Sequence, residues 1–193
     1  MFILCDTSSI LMLLRIAPDM FTDERYECRT IREVHDEIVR TTKFKSKYPW
    51  TREMKHKVKT VVLSKEQKQT ETMFFETVRT LNRQGVVNQK TGRFIDLSRE
   101  DMRVISHALT LDYRITSGDR DLVQFALQEF KEEFRGNVSP LEIIIYWLES
   151  GIIEWDEMKQ IRLSVWTEDN EHPQPMKAKK YFKKLTGFKY TGT

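Results

Sequence analysis

The feature that most constrains the fold is an alternation of short apolar strand patterns with helix patterns, which starts at the first residues. Phe2–Cys5 is a short apolar run, and Ile10–Ile16 follows it with helical spacing. Tyr26–Thr30 is a second strand pattern, and in Ile31–Arg40 apolar residues recur every three or four positions. A strand–helix–strand–helix order is typical of a parallel sheet covered by helices, so we expect an α/β fold.

The same alternation returns in the second half of the chain. Ser98–Asp101 has the pattern of a capping box before a helix, and Tyr113–Thr116 is a strand pattern that ends in the turn Ser117–Asp119. The remaining predicted elements are a helix over 121–134, a short strand after Gly136, a helix from Ser139 to Gly151 and a helix over about 154–166. We therefore expect one domain over residues 1–167.

Two basic segments interrupt and follow this pattern. Residues 43–95 are predicted to form a mostly helical insertion, and residues 168–193 a linker with a basic tail. The net charge is only +3, but 43–68 holds eight lysines and Arg52 against two glutamates, and residues 173–193 hold six lysines and no acid. The rest of the chain is therefore acidic.

The basic segments also contain aromatic residues. Cations that contact phosphates and aromatic faces that stack on bases are how proteins commonly bind single-stranded nucleic acid. We therefore expect nucleic-acid contacts, although a solvated charged face is the alternative. The candidate residues are Lys43, Lys45, Lys47, Arg52, Lys55, Lys179, Lys180, Lys183 and Lys184.

Four acidic residues fall where a parallel sheet places its ligand sites. Asp6 ends the first strand pattern and Asp119 follows the Tyr113–Thr116 strand, while Asp101 and Glu37 lie on helices. Carboxylates that share a crevice repel one another, and Mg²⁺ or Mn²⁺ removes that cost by binding to their oxygens. Each acid also has an ordinary alternative, because Asp6 and Asp101 fit helix caps, Asp119 fits a turn and Glu37 fits a solvated helix face.

Four sequence pieces together resemble the PIN-domain nucleases. They are Phe2-Ile-Leu-Cys-Asp6-Thr-Ser-Ser, Val34-His-Asp-Glu37-Ile, Asp101-Met-Arg-Val-Ile-Ser-His-Ala-Leu, and Ile115-Thr-Ser-Gly-Asp119-Arg-Asp121-Leu. The resemblance covers roughly residues 1–40 and 97–150. It implies a three-layer α/β/α fold with a central parallel sheet of about five strands, and a Mg²⁺- or Mn²⁺-dependent endoribonuclease that hydrolyses RNA.

The resemblance also implies roles for individual residues. Asp6, Glu37, Asp101 and Asp119 match the acidic quartet of the family, which acts in catalysis and binds one or two metal ions. Asp121 matches a further catalytic acid that some members use. The hydroxyls that lie beside the metal in the family correspond to Thr7, Ser8 and Ser117. Glu33 lies one turn before Glu37 and is the alternative for the second acid.

The resemblance leaves the biological role open. One branch is the toxin of a toxin–antitoxin pair, which binds an antitoxin protein, and the other is a stand-alone RNA-processing enzyme. A catalytically silent module that only binds RNA or protein is the third alternative. Ile10–Leu14 fits either the core or the interface of a homodimer. No apolar run is long enough to span a membrane, and two cysteines are too few for a disulfide framework, so we expect a cytoplasmic protein.

Overall fold

The structure is a computed structural model that describes residues 2–4, 6–23, 25–40, 48–50, 53, 55–169 and 174–192. Within these residues the chain forms three short strands and eight α-helices. Short 3₁₀ turns lie at Pro18–Thr22 and Lys55–Lys57. The elements in chain order are β1 (Phe2–Leu4), α1 (Thr7–Ile16), β2 (Cys28–Thr30), α2 (Arg32–Arg40), α3 (Lys65–Gln84), α4 (Arg99–Leu111), β3 (Arg114–Thr116), α5 (Arg120–Glu129), α6 (Pro140–Glu149), α7 (Glu157–Asp169) and α8 (Met176–Thr186).

The three strands form a small parallel sheet in the order β2–β1–β3. Phe2 of β1 is paired with Cys28 on one side and with Arg114 on the other. β1 is therefore the central strand. The loops that follow β1 and β3 lie next to each other, because the carboxyl ends of parallel strands meet at one edge of a sheet.

The expected three-layer fold with a central sheet of about five strands is wrong. Each strand has only three residues, and most of the described chain is helical. The helices also pack largely on one another, with α3 on α4, α1 on α7 and α8 on α6. Much of the apolar surface that the sequence pattern assigned to the faces of a sheet is therefore buried between helices.

The sheet ends in a single bridge at each edge. Next to β3, the predicted strand after Gly136 is reduced to a single bridge between Asn137 and Ile115. Gly136 has a φ of +92° and Pro140 begins α6, so at most the three residues between them could extend this pairing. Next to β2, a single bridge joins Thr60 to Thr30.

Helix α1 lies at the centre of the core. The exposed fractions of Ile10, Leu11, Met12, Leu13 and Leu14 are all 0 or 1%. A helix that is apolar on every side is stable only when other elements surround it, and α7, α6 and α2 all contact α1. This segment therefore belongs to the core and is not available as the interface of a homodimer.

The insertion contributes the longest helix of the structure. Ser64 and Gln67 form a capping box at the start of α3, and Gly85, with a φ of +84°, ends the helix in the left-handed conformation. Lys43, Lys45, Lys47 and Arg52 lie outside the described residues, as does the side chain of Lys55. The nucleic-acid contacts expected of these five residues remain predictions.

The C-terminal segment folds back onto the rest of the chain. Phe182 of α8 is fully buried, and its ring meets that of Trp155 edge-on with the centroids 4.8 Å apart. The domain boundary at residue 167 remains a prediction. Among the described residues, no helix is both long enough and apolar enough to cross a membrane.

Candidate active site

An acidic cleft of about 670 Å³ lies between α1, α2 and the start of α4. The described residues that line it include six carboxylates and no basic side chain. The six are Asp6, Glu33, Asp36, Glu37, Glu100 and Asp101. Such a set of like charges is costly without a counter-ion, because each carboxylate disfavours the ionised form of its neighbours.

Asp6 links the ends of β1 and β3. It is the N-cap of α1, and its Oδ1 accepts hydrogen bonds from the backbone N–H of Ser9 at 2.5 Å and from the Ser8 hydroxyl at 3.1 Å. Its Oδ2 accepts a hydrogen bond from the backbone N–H of Gly118, in the loop after β3. The Asp6 side chain thereby holds the two loops at the carboxyl end of the sheet together.

Glu37 faces the cleft from the other side. Its Oε2 accepts a hydrogen bond from the hydroxyl of Thr7 at 3.1 Å, which joins α2 to the first turn of α1. Glu33 and Asp36 lie four residues and one residue before Glu37 and line the same cleft. The structure therefore places both candidates for the second acid, Glu33 and Glu37, at the site.

Asp101 lies at the third position of α4 and completes the capping box that the sequence predicts. Its Oδ2 accepts hydrogen bonds from the backbone N–H of Ser98 at 3.0 Å and from the Ser98 hydroxyl at 2.6 Å. Burial raises the pKa of Asp101 above its ordinary value, and the negative charges of Asp119 and Glu100 raise it further, against the lowering effect of the Ser98 hydrogen bonds. Asp119 is thus close enough to Asp101 to influence its ionisation.

Asp119 lies at the border between the acidic cleft and a second pocket. It is the N-cap of α5, and its Oδ1 accepts hydrogen bonds from the backbone N–H groups of Asp121 and Leu122. Asp119 lines the second pocket rather than the acidic cleft. Its links to the cleft are its electrostatic effect on Asp101 and the hydrogen bond of its neighbour Gly118 to Asp6.

The other predicted site residues have clear local roles. The carboxylate of Asp121 points to the loop after α3, where it accepts a hydrogen bond from Asn88 Nδ2 at 2.8 Å. The Ser117 hydroxyl accepts a hydrogen bond from the backbone N–H of Asp119 at 3.0 Å. Thr7 lines the acidic cleft, and Ser8 lies beside Asp6. The structure therefore brings Thr7 to the cleft and Ser8 to the side of Asp6, but it directs Asp121 away from the cleft.

A divalent cation fits the donor set of the cleft. All candidate ligands are carboxylate oxygens, which Mg²⁺ and Mn²⁺ prefer. Hydrogen bonds within the described residues use only one oxygen each of Glu37, Asp101 and Asp119, so the other oxygen of each can accept a ligand. Within the described residues, however, no three acids, histidines or cysteines lie close enough together to hold a metal ion.

Sequence reasoning missed two acids of the cleft, Asp36 and Glu100. Both are neighbours of predicted site residues, and both line the cleft with them. The sequence does indicate Asp36, because the spacing of Glu33, Asp36 and Glu37 places all three residues on one face of a helix. No comparable signal marks Glu100, whose place at the cleft depends on how α4 meets α1 and α2.

Comparison with protein-family models, with curated proteins and with solved structures gave no match. The functional assignment therefore rests on the residues of the chain itself.

The described part of the basic segments lies next to the site. Val58, residues 60–63 and Lys68 wall a groove of about 710 Å³ that shares Glu33 and Asp36 with the acidic cleft. On the other side, Gln174 and Pro175, which directly precede α8, wall the pocket that contains Asp119. Of the predicted tail cations, Lys180, Lys183 and Lys184 are exposed, and Lys179 is partly covered and donates to the backbone of Gly192.

Proposed function

We propose that this protein is a Mg²⁺- or Mn²⁺-dependent endoribonuclease that hydrolyses phosphodiester bonds at the acidic cleft. The observation that carries the proposal is a cleft lined by six carboxylates and no basic residue among its described walls. Its position supports the same function, because it opens where β1 and β3 end and where Asp119 borders it. The resemblance of the surrounding sequence to PIN-domain nucleases supplies the reaction class.

Four carboxylates have proposed roles in this reaction. Asp6 and Asp119 would hold the metal ion, and Asp101 and Glu37 would bind it directly or through water. Asp6 would use a second lone pair of an oxygen that already accepts a hydrogen bond. A bound divalent cation lowers the pKa of a water molecule and stabilises the leaving oxygen of a phosphodiester. Thr7 orients Glu37 through its hydroxyl, and Ser117 fixes the backbone that presents Asp119.

The test is RNA cleavage by the wild-type protein and by Asp119→Asn and Glu37→Gln in Mg²⁺ or Mn²⁺. Both substitutions keep the shape and the hydrogen bond of the side chain, so we expect folded proteins without cleavage activity. The exposed Glu132→Gln variant, outside the cleft, is the matched control and should cleave like the wild type. Sequencing of RNA ends that only the wild type produces would identify the cut sites, and cleavage by Asp119→Asn would refute the assignment.

A separate experiment decides whether the protein is a toxin or a stand-alone RNA-processing enzyme. Expression of a toxin arrests growth, and a small antitoxin protein relieves the arrest. We expect growth arrest that depends on Asp119 if the protein is a toxin, and normal growth with altered RNA processing if it is a stand-alone enzyme. RNA is the proposed substrate in both branches.

A silent module that binds RNA or protein is the second candidate. It is favoured by the capping roles of Asp6, Asp101 and Asp119, which would give these acids a structural purpose without a metal ion. Thermal unfolding with Mn²⁺ separates the two candidates. The nuclease proposal expects a higher melting temperature with Mn²⁺ in the wild type and a smaller gain in Asp119→Asn, whereas a silent module shows no gain in either protein.

A further inference from the structure

A second pocket contains Asp119, whose neighbour Gly118 is hydrogen-bonded to Asp6 of the acidic cleft. It has a volume of about 660 Å³ and lies between the start of α5, the loop after α3, the segment around Asn137 and the residues before α8. This size is within the range of roughly 300–1,000 Å³ that is usual for small-molecule sites. Its position means that a ligand in the pocket would lie directly beside the proposed cleavage site.

The walls of this pocket combine two carboxylates, those of Asp119 and Glu142, with three kinds of group that a nucleotide can use. Arg120 and Lys90 supply positive charge, Val123 and Pro175 supply apolar surface, and several amide side chains supply hydrogen-bonding groups. A nucleotide needs the same three kinds of contact, for its phosphate, its ring faces and the edge of its base.

Most of the amides in the pocket are already used to hold the walls. Asn137 bonds the backbone of Ser117 in both directions, and Asn88 bonds Asp121 and the backbone of its own loop. The Oε1 of Gln174 accepts a hydrogen bond from the backbone N–H of Leu141. These residues shape the pocket but have little capacity left for a ligand.

Gln124 is different, and its amide orientation is fixed by a chain of hydrogen bonds. Gln128 must direct its Nε2 to the carbonyl oxygen of Val87 and its Oε1 to the backbone N–H of Gln89. Because Gln128 Oε1 is an acceptor, Gln124 can approach it only with its own Nε2, at 2.8 Å. The Oε1 of Gln124 is therefore left as an acceptor.

This oxygen is in an unusual position for a polar atom. Gln124 is only 8% exposed and lines the pocket, and within the described residues its Oε1 accepts no hydrogen bond. The oxygen is not one of the fully buried unpartnered atoms, so water can reach it, and a ligand that brings a donor would take the place of that water. The pocket thus offers one open amide acceptor beside apolar surface, two cations and the carboxylates of Asp119 and Glu142.

We propose that this pocket binds one nucleotide of the RNA next to the scissile bond and selects a base with an amino group at purine C6 or pyrimidine C4, adenine or cytosine, over guanine and uracil, which carry a carbonyl oxygen there. The amino group donates to Gln124 Oε1, and Arg120 and Lys90 contact the phosphate. Uracil and hypoxanthine carry a carbonyl oxygen at the corresponding position, which would face the Gln124 oxygen without a hydrogen atom between them. The inference rests on the proposed nuclease function for the identity of the polymer, but nucleotide binding does not require cleavage.

The test uses four nucleoside 5′-monophosphates, titrated by calorimetry into the wild-type protein without a divalent cation. AMP is compared with IMP and CMP with UMP. In each pair the second member has a carbonyl oxygen in place of the amino group, together with a proton on the neighbouring ring nitrogen, and is otherwise identical. We expect the amino-bearing member of each pair to bind at least about fivefold more tightly, the size expected for one hydrogen bond. Inorganic phosphate is the fifth probe and should bind more weakly than AMP.

Three variants complete the experiment. Gln124→Met should remove the difference within each pair, whereas Arg120→Ala should weaken all four monophosphates by a similar factor and keep the difference. The exposed Gln69→Met, outside the pocket, is the matched control for Gln124→Met and should bind like the wild type. Circular dichroism confirms that each variant is folded, and Arg120→Ala keeps the test decisive if Gln124→Met does not fold.

The outcomes distinguish this inference from the proposed function. Equal binding within both pairs, phosphate binding as tight as AMP, or no saturable binding would overturn the inference even if the protein cleaves RNA. Selective binding without any cleavage would support the pocket and refute the nuclease function. If the protein both cleaves RNA and binds the amino-bearing nucleotides selectively, the RNA ends produced by the wild type should be enriched in A or C next to the cut sites. The ends produced by Gln124→Met should lose this enrichment.

Discussion

At the scale of single residues, Asp6 and Asp119 are both helix caps but use their carboxylates differently. Asp6 accepts hydrogen bonds on both oxygens, from Ser9 and Ser8 on one and from Gly118 on the other. Asp119 accepts its hydrogen bonds from described residues on Oδ1 alone. An asparagine side chain has one acceptor oxygen and one donor NH₂ group, so it can replace only one of the two carboxylate oxygens as an acceptor. The change to asparagine therefore breaks a hydrogen bond at position 6 and none at position 119.

We predict that Asp6→Asn lowers the free energy of unfolding by about 1–3 kcal/mol, because its amide would direct a donor at the N–H of Gly118 or of Ser9. Asp119→Asn keeps its cap and should stay within about 0.5 kcal/mol of the wild type. Urea unfolding of both variants without a divalent cation measures the difference. Equal stability of the two would contradict the bridging role of Asp6.

The pKa of Asp101 leads to a prediction about pH. Because folding raises this pKa, the folded state binds the proton more tightly than the unfolded state, and the Asp101 contribution to stability falls as the pH rises through the raised pKa. Asp101→Asn removes this contribution because an asparagine side chain does not titrate. The asparagine oxygen can still accept the hydrogen bonds from Ser98. Relative to the wild type, the variant should therefore be more stable at pH 7 than at pH 4 in metal-free buffer, as measured by urea unfolding. A constant difference between the two pH values would argue against the shift.

At the scale of elements, a buried ion pair joins α3 to α4. Both oxygens of Glu71 accept hydrogen bonds from Arg103 Nη1, at 2.7 and 2.8 Å, and Oε1 also accepts one from the Ser106 hydroxyl at 2.6 Å. The Glu71 side chain is only 6% exposed, and the Arg103 guanidinium stacks 3.9 Å from the centre of the Phe75 ring. Removal of Glu71 would leave the partly buried Arg103 guanidinium without its acceptor, whereas the buried Ser106 hydroxyl could still donate to the carbonyl oxygen of Arg103.

We predict that Glu71→Ala lowers the free energy of unfolding by about 3 kcal/mol, since loss of one partner leaves the other charge unpaired in a largely buried site. Glu76→Ala is the control on the same helix, because Glu76 pairs with Arg79 in an exposed position and such pairs contribute less than about 1 kcal/mol. Thermal and urea unfolding compare the two variants. A similar small loss in both would mean that the Glu71 pair does not anchor α3.

The elements differ in how far the sequence could predict them. The capping boxes at Ser64, Ser98 and Ser139 all form, because a cap depends on residues three positions apart. The strand predicted after Gly136 forms only a single bridge to β3. A strand needs a partner to pair with, and the local sequence does not specify that partner. Glu71 had no distinguishing signal for the same reason: its partners lie more than thirty residues away.

In the candidate site, too, the features that depend on local spacing could be predicted from the sequence, and the features that depend on packing could not. The local capping roles of Asp6 and Asp101 follow from spacing, and the structure contains both caps. The grouping of six acids in one cleft depends on the packing of α2 and α4 against α1, which no local pattern encodes. The direction of Asp121 toward Asn88 likewise depends on the loop after α3, so its resemblance to a catalytic acid could not reveal it.

At the scale of the whole molecule, the small net charge of +3 conceals a separation of charge around the site. The acidic cleft adjoins a groove walled by part of the basic insertion, and the pocket at Asp119 adjoins the start of α8. A polyanion is repelled by the cleft alone, so positive side chains beside it are needed to bring a phosphate backbone near. Arg120 and Lys90 wall the pocket at Asp119, and α8 adds the exposed lysines Lys180, Lys183 and Lys184.

We predict that replacement of Lys180, Lys183 and Lys184 by alanine weakens RNA binding and lowers its dependence on salt. Each phosphate contact with single-stranded RNA contributes about 0.7 to the slope of log K against log salt, so loss of three contacts lowers the slope by about 2. Replacement of Arg83, Lys131 and Arg135, three exposed cations that wall neither the acidic cleft nor the pocket, is the matched control with the same loss of charge. Fluorescence anisotropy with a labelled RNA from 50 to 300 mM salt measures both sets. If the two sets reduce the slope equally, the effect is one of overall charge, and α8 has no specific part in binding the RNA.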